Sequence, residues 1–296
     1  MLSVKEPGVE IQFLRPKNRE LENKDISILV NNLVKEGYNY NDIAIIYRTN
    51  MLSSSVVDSF LDNNIPFTSK EKIYNIYEHW IARDIICYLR SALNINDREA
   101  LGRIINRPTR YITNKARKAA DNYHKDYITS LKSKGDLEPY QIVYLDRLEV
   151  DLKTIAHLET GDAVNYIRKD VGYDDYIYDY CLKKQIGSDG LIGILNELEE
   201  ISHRHNTILQ FINHVKEFKE SLYENIYKNR GRYSLKGNQV ELLTMHGAKG
   251  LEFRVVIVID AIEDIIPHSK SQDEKSIEEE RRLFYVAITR AKERLY

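Results

Sequence analysis

The sequence predicts an α/β protein in which a parallel-sheet domain is interrupted by an all-helical insertion. Three observations carry this. Short apolar runs alternate with helical patterns over the first 78 residues, strand-like runs then nearly vanish until residue 239, and β/α character returns after that. The expected division is therefore 1–78 and 236–296 for the sheet domain, with 79–235 as the insertion.

Each element has its own signal. VEIQFL (9–14) has period-2 apolarity at Val9, Ile11 and Phe13 and reads as a strand. A polar helical pattern follows, with Leu29 and Leu33 four apart and Gly37 as its terminator. IAIIYR (43–48) is a nearly continuous apolar run, the mark of a strand buried on both faces. SSSVVDSFLDNN reads as a helix and IPF (65–67) as a further short strand. From about residue 79 the pattern is helical: HWIARDIICYLRSAL places Ile81, Ile85, Ile86 and Leu89 on one face. DREALGRIIN, NKARKAADNY, the leucine-bearing 140s and 150s and LIGILNELEEISHRHN continue it. QVELLTM and VVIVID then read as strands, and a long helix is expected from Ser276, with Glu279 three residues on forming a capping box. Leu283, Phe284, Ala287, Ile288 and Ala291 fall on one face of that helix, with Arg290 at the edge of the stripe and Arg282 opposite.

Composition narrows the class. With 43% hydrophobic and 30% charged residues, the 296-residue chain is that of a soluble globular protein. A net charge of −2 gives no global basic footprint, so any nucleic-acid contact rests on local patches. Cys87 and Cys181 lie far apart and form no CxxC, which argues against a disulfide framework or zinc site and suits a reducing cytoplasm. The N-terminus lacks the layout of a signal peptide, and no apolar run approaches the roughly 18 residues that span a bilayer. Tyrosine outnumbers phenylalanine 21 to 7, which suits base stacking but equally suits half-buried rings with wet hydroxyls.

The stretch LTMHGAKGLEF sets Thr244, His246, Lys249 and Glu252 in a glycine-containing turn before VVIVID. Strand, glycine, lysine and acid together suggest a nucleotide site. Yet no glycine in the chain is followed by lysine, so the phosphate-cradling G-x-x-x-x-G-K-[ST] loop is absent. Asp260 ends an apolar strand as a magnesium-holding acid would, but Ala261 follows it, and an ordinary sheet-edge acid is expected.

THGAKGLEF-type text followed by EERRLFYVAITRAK resembles motifs V and VI of the UvrD/Rep family of superfamily 1 DNA helicases. NDIAIIYRTN with the following helix and strand resembles the motif IVa region, and ARDIICYLRSALNINDREALGRIINRPTR is similar to the start of the family's inserted 2B domain. The resemblance implies a RecA-like domain of P-loop NTPase type that lacks the P-loop half: the 2A/2B portion of an ATP-dependent helicase. The family's Walker motifs and motif IV belong to a missing N-terminal RecA-like half (1A/1B), which would hold Mg²⁺ with ATP; no residue of this chain is expected to bind a metal, and the chain is expected to be inactive alone. It also implies 3′→5′ translocation on single-stranded DNA, domain closure on ATP binding, a part in DNA repair or replication and a cytoplasmic protein without membrane contact.

Residue by residue, Arg290 matches the motif VI arginine that contacts the γ-phosphate, and Glu252 the motif V acid that contacts the ribose. Thr244 and His246 match motif V positions facing single-stranded DNA, with a satisfied structural histidine as the alternative for His246. Arg48 and Asn50 match DNA-contacting positions of motif IVa. Lys249 is expected to support the loop, beside the tight turn at Gly250. Two departures stand out. NMLSS (50–54) lacks the glutamine and arginine that commonly follow the asparagine, and Tyr111 and Thr113 replace both glycines of a Gly-Ile-Gly turn that grips duplex backbone. Residues 98–125 still hold eight Lys/Arg, at 98, 103, 107, 110, 115, 117, 118 and 125, against acids at 99 and 121. Arg107, Arg110, Arg117 and Lys118 are accordingly expected to bind duplex DNA, the alternative being a solvated helical face. A stand-alone DNA- or protein-binding module without ATPase activity is the rival reading.

Overall fold

The computed structural model describes residues 9–50, 53–71, 73–121, 126–223, 237–268 and 271–296. The chain divides into two compact units, Met1–Asn75 with Phe218–Tyr296, and Ile76–Glu217. The expected second boundary, between 235 and 236, lies outside the described residues, as does Lys125.

The first unit is built on a sheet of five strands among the described residues: β1 (Ile43–Tyr47), β2 (Phe67–Thr68), β3 (Val240–Thr244), β4 (Phe253–Val258) and β5 (Ala291–Leu295). Their spatial order is β2-β3-β1-β4-β5 and every pairing is parallel. Central β1 is buried at all five positions, which is why IAIIY shows no alternation. Its register sets Tyr47 beside Thr244 and Ile46 beside Val258, so the exits of β1, β3 and β4 lie together.

Helix α1 (Arg19–Lys35) starts at an Asn18 cap and buries Ile26, Val30 and Leu33; Leu29 is only half-buried. Helix α2 (Ser53–Asp62) buries Val56, Val57 and Phe60, and the two helices meet through Ser27 and Ser59 at 2.8 Å. One sheet face packs Ala44, Ile46, Leu243 and Val256 against Leu283, Phe284 and Ala287, so the expected stripe does meet the sheet. The fully buried Ile46, Leu243 and Val256 each contribute roughly 1.5–3 kcal/mol.

Three local expectations are corrected. Residues 9–14 form no strand: one bond, Gln12 N–H to Leu295 O, runs beside β5, and Val9, Ile11 and Phe13 are 61%, 48% and 80% exposed. Their alternation has no core to face. The last helix, α12 (Glu274–Ile288), is capped by Asp273, which accepts from Ser276 N–H, rather than by Ser276. It also stops at Ile288, and residues 291–295 become edge strand β5, where pairing with β4 outweighs helical propensity.

The second unit is helical throughout its described residues: α3 (Trp80–Leu93), α4 (Arg98–Ile104), α5 (Asn114–Asp121), α6 (Tyr127–Lys134), α7 (Pro139–Ile155), α8 (Thr160–Lys169), α9 (Tyr173–Lys184), α10 (Asp189–Ser202) and the first part of α11 (Ile208–Tyr223). Its interior includes a fully buried carboxylate. Asp84 of α3 accepts from Arg103 Nε at 2.6 Å, Arg107 Nη1 at 2.7 Å and Tyr173 Oη at 2.7 Å. Burial, and then the Asp84 charge, drive the Tyr173 hydroxyl far above the usual tyrosine range. No described helix is long and apolar enough to cross a membrane.

Candidate functional site

The candidate residues of the sheet unit gather at two opposite ends of the sheet. Arg48 and Asn50 leave the C-terminal end of β1, and Thr244 and His246 leave that of β3; the pairing of Tyr47 with Thr244 makes these exits neighbours. Glu252 and Arg290 instead precede β4 and β5, at the N-terminal ends of two paired strands.

At the first end, Thr244 Oγ1 donates to Glu71 Oε1 at 2.7 Å and accepts from Gly247 N–H at 3.0 Å. A Cβ on Gly247 would lie 2.6 Å from Glu71 Oε1, so a larger residue here would displace the Glu71 carboxylate. The turn closes through Ala248 N–H to Thr244 O and Lys249 N–H to His246 O, with Gly250 at φ +83°. His246 and Lys249 are exposed, and Asn50 Oδ1 is buried without a partner among the described residues. Burial, then the Glu71 charge, push the Tyr47 hydroxyl up to about 12.

Arg48 is held side-on. Its Nε lies 2.9 Å from Glu280 Oε2 and its Nη2 2.6 Å from Glu280 Oε1. These hydrogen bonds, with the guanidinium charge, hold the Glu280 carboxyl below the usual glutamate range. Asp260, at the same end of β4, is buried, has φ +55° and meets Arg19 Nη2 at 2.9 Å. Burial raises its pKa, and it stands at the opposite end from Glu252 and Arg290.

At the second end, Arg290 sits in the turn between α12 and β5 rather than on the helix. Its Nε donates to Val286 O at 2.9 Å, Nη1 to Leu251 O at 3.0 Å and Nη2 to Thr289 Oγ1 at 3.0 Å. Three of five guanidinium N–H groups are thus used to fix the fork, and two are left for an anion. Glu252 is an exposed carboxylate whose partners include Lys292 Nζ at 3.0 Å. A fixed, half-exposed fork beside an exposed carboxylate fits one lip of a phosphate-and-ribose site.

In the helical unit, the expected duplex-binding set divides between internal bonds and solvent. Arg110 is only 6% exposed and donates to the carbonyls of Ile104, Ile105 and Pro108 and to Tyr88 Oη. This corrects its assignment to a DNA contact. Arg107 is bound to Asp84, and Arg117 Nη2 donates to Gly102 O at 2.9 Å. Lys118 and its neighbour one helical turn back, Lys115, are exposed. Tyr111, where a glycine was expected, still adopts φ +59°, held by Gln141, with its ring 60% exposed.

Residues 1–296, the whole chain, match the UvrD-like helicase C-terminal domain family. The chain belongs to that family. It is similar to a putative ATP-dependent DNA helicase, YjcD, of Bacillus subtilis (27% identity over 93% of this chain and 36% of that protein). It is also similar to the ATP-dependent DNA helicases Rep of Buchnera aphidicola (29%; 98% and 46%) and PcrA of Staphylococcus epidermidis (32%; 88% and 37%). This UvrD-like domain therefore spans less than half the length of the curated relatives it matches.

Glu71 and Glu280 were not singled out from the sequence. Glu71 carried no signal, because its partner Thr244 is remote in the chain. Glu280 did carry one: with Leu283, Phe284 and Ala287 it completes the i, i+3, i+4, i+7 stripe that faces the sheet. An acid on an apolar stripe must find a cation.

Proposed function

We propose that this chain is the 2A/2B portion of a 3′→5′ DNA helicase, with one end of its sheet closing over ATP and the other gripping single-stranded DNA. The observation that carries this is the opposition of the two ends. Residues 245–252 run from the exit of β3 to the entry of β4, and because both strands are parallel the link must cross the length of the sheet. Its first residues are Met245 and His246 and its last is Glu252. One short segment thus joins the proposed nucleic-acid and nucleotide ends and would carry a shift at one to the other.

Arg290 would stabilise charge developing on the transferred phosphoryl group, and Glu252 would accept from the ribose. ATP and its Mg²⁺ would be held chiefly by a separate RecA-like half, since the sequence has no G-x-x-x-x-G-K-[ST] loop. Arg48, Asn50, Thr244 and His246 would face the single strand. In the helical unit, Lys115 and Lys118, with Arg107 and Arg117 at most partly available, would give weak and salt-sensitive duplex binding.

Phosphate release tests the reading. The chain alone, with saturating single-stranded DNA, is expected to show no turnover, whereas a protein joining it to a Walker-bearing half should show DNA-stimulated turnover. Turnover by the chain alone, or binding of DNA without stimulation in the joined protein, contradicts it; the latter favours a binding module.

A further inference from the structure

The Arg48–Glu280 pair is more than a buried ion pair between β1 and α12. The side chains are 19% and 7% exposed, and Glu280 also receives the His268 main-chain N–H. The carboxylate therefore ties together the exit of β1, the segment after β4 and α12. It grips Arg48 by Nε and Nη2 only, and Nη1 has no hydrogen-bond partner among the described residues. A side-on grip fixes the guanidinium plane and aims the remaining nitrogen away from the carboxylate. A free arginine would have to give up its side-chain rotamer entropy to reach the same pose.

Resting on the reading above, we infer that Glu280 is a positioning residue for single-stranded nucleic acid: it presents Nη1 of Arg48 to a backbone phosphate at the exit of β1. It also ties that grip to the helix whose other end leads into Arg290. Glu280 and the last helical residue, Ile288, are eight positions apart on α12, about 12 Å, close to the span between the two ends of a five-residue strand. The helix is thus a second rigid connection between phosphate contact and nucleotide lip, beside the 245–252 link.

The test is fluorescence anisotropy of a labelled oligothymidylate with the full 296-residue chain at several salt concentrations, with melting temperatures measured in parallel. Glu280→Gln keeps the volume and an acceptor for His268 N–H but removes the charge. It is expected to weaken binding about tenfold, as loss of one charge-assisted contact does, and to flatten the log K against log salt slope by about 0.7. Arg48→Ala should do the same, and the double variant should be no worse than Arg48→Ala. Arg48→Lys, which keeps the charge but not the fork, should also bind more weakly at a near-normal melting temperature. The swap Arg48→Glu with Glu280→Arg should recover melting temperature but not binding. Glu280→Gln or Arg48→Lys binding as tightly as the parent, or a swap that restores binding, overturns the positioning role. Unchanged binding by Arg48→Ala removes the nucleic-acid site at this strand end and the proposal with it.

Discussion

The arginines of the helical unit and those of the sheet unit carry the same charge, but they serve different ends. Arg103, Arg107, Arg110 and Arg117 lie in a basic stretch, yet each gives part of its fork to Asp84, Tyr88 or main-chain carbonyls, and Arg110 is buried outright. Arg48 and Arg290 lie outside that stretch, and each is fixed by part of its fork with nitrogen capacity left over. Helix ends and turns offer unpaired carbonyls that arginines satisfy, in the helical unit for Arg110 and Arg117 and in the sheet unit for Arg290. Arg48, which follows a central strand, is held by a carboxylate instead. Local charge density is therefore a poor guide to which cations stay exposed here: Arg110 is buried in the basic stretch, whereas Lys118 in the same stretch faces water.

The strongest attempt to break this comparison is Arg290→Ala in a protein joining this chain to a Walker-bearing half. A fall in kcat of about 10³-fold or more is expected, with a much smaller change in KM for ATP, measured by steady-state phosphate release. Arg290→Lys should not rescue it, because an ammonium cannot hold the Val286 and Leu251 carbonyls while reaching a phosphate. Should melting fall by tens of degrees instead, Arg290 would be a structural arginine like those of the helical unit.

Asp84→Ala probes the other side. Removing the acid leaves Arg103 and Arg107 with an uncompensated partner site, and urea unfolding should show a loss of about 3–5 kcal/mol from the transition of the helical unit. Tyr173→Phe, which removes only one of its donors, should cost about 1 kcal/mol.

Duplex binding sharpens the contrast between buried and exposed cations. Lys115→Ala with Lys118→Ala should reduce the salt slope by about 1.8, two contacts at about 0.9 each. Arg110→Met should leave that slope unchanged while lowering the melting temperature, since its guanidinium never meets solvent ions. A slope that falls with Arg110→Met would return the buried arginine to the binding surface.

The smallest expected effect is on acid stability. Glu280 has a depressed folded pKa, so the unfolded chain binds its proton more readily, and the stability from the Arg48 pair is present above the ordinary value of 4.5. It is lost as pH falls below that value through the folded pKa. Glu280→Gln should therefore flatten the decline in melting temperature on acidification, read by thermal scans between neutral and acid pH.

The sequence by itself determined which segments are strands and helices wherever period and burial agree. IAIIY and VVIV form central strands because continuous β-branched runs suit burial on both faces. It also supplied the motif text that places the chain in its family, and with it the candidates Arg48, Glu252 and Arg290. It misread 9–14, where alternation has no core to face, and 291–295, where pairing with β4 overrides a helical pattern. Only the tertiary structure decided which cations are free. Arg110 and Lys118 are equally basic as letters, but one is enclosed by carbonyls from residues 104–108 and the other faces water. It likewise brought Glu71 to Thr244 and Glu280 to Arg48 across separations of 173 and 232 residues. Such pairings arise from sheet order and helix crossing, and no local pattern encodes them, because an ion pair's partner is chosen by distance in space.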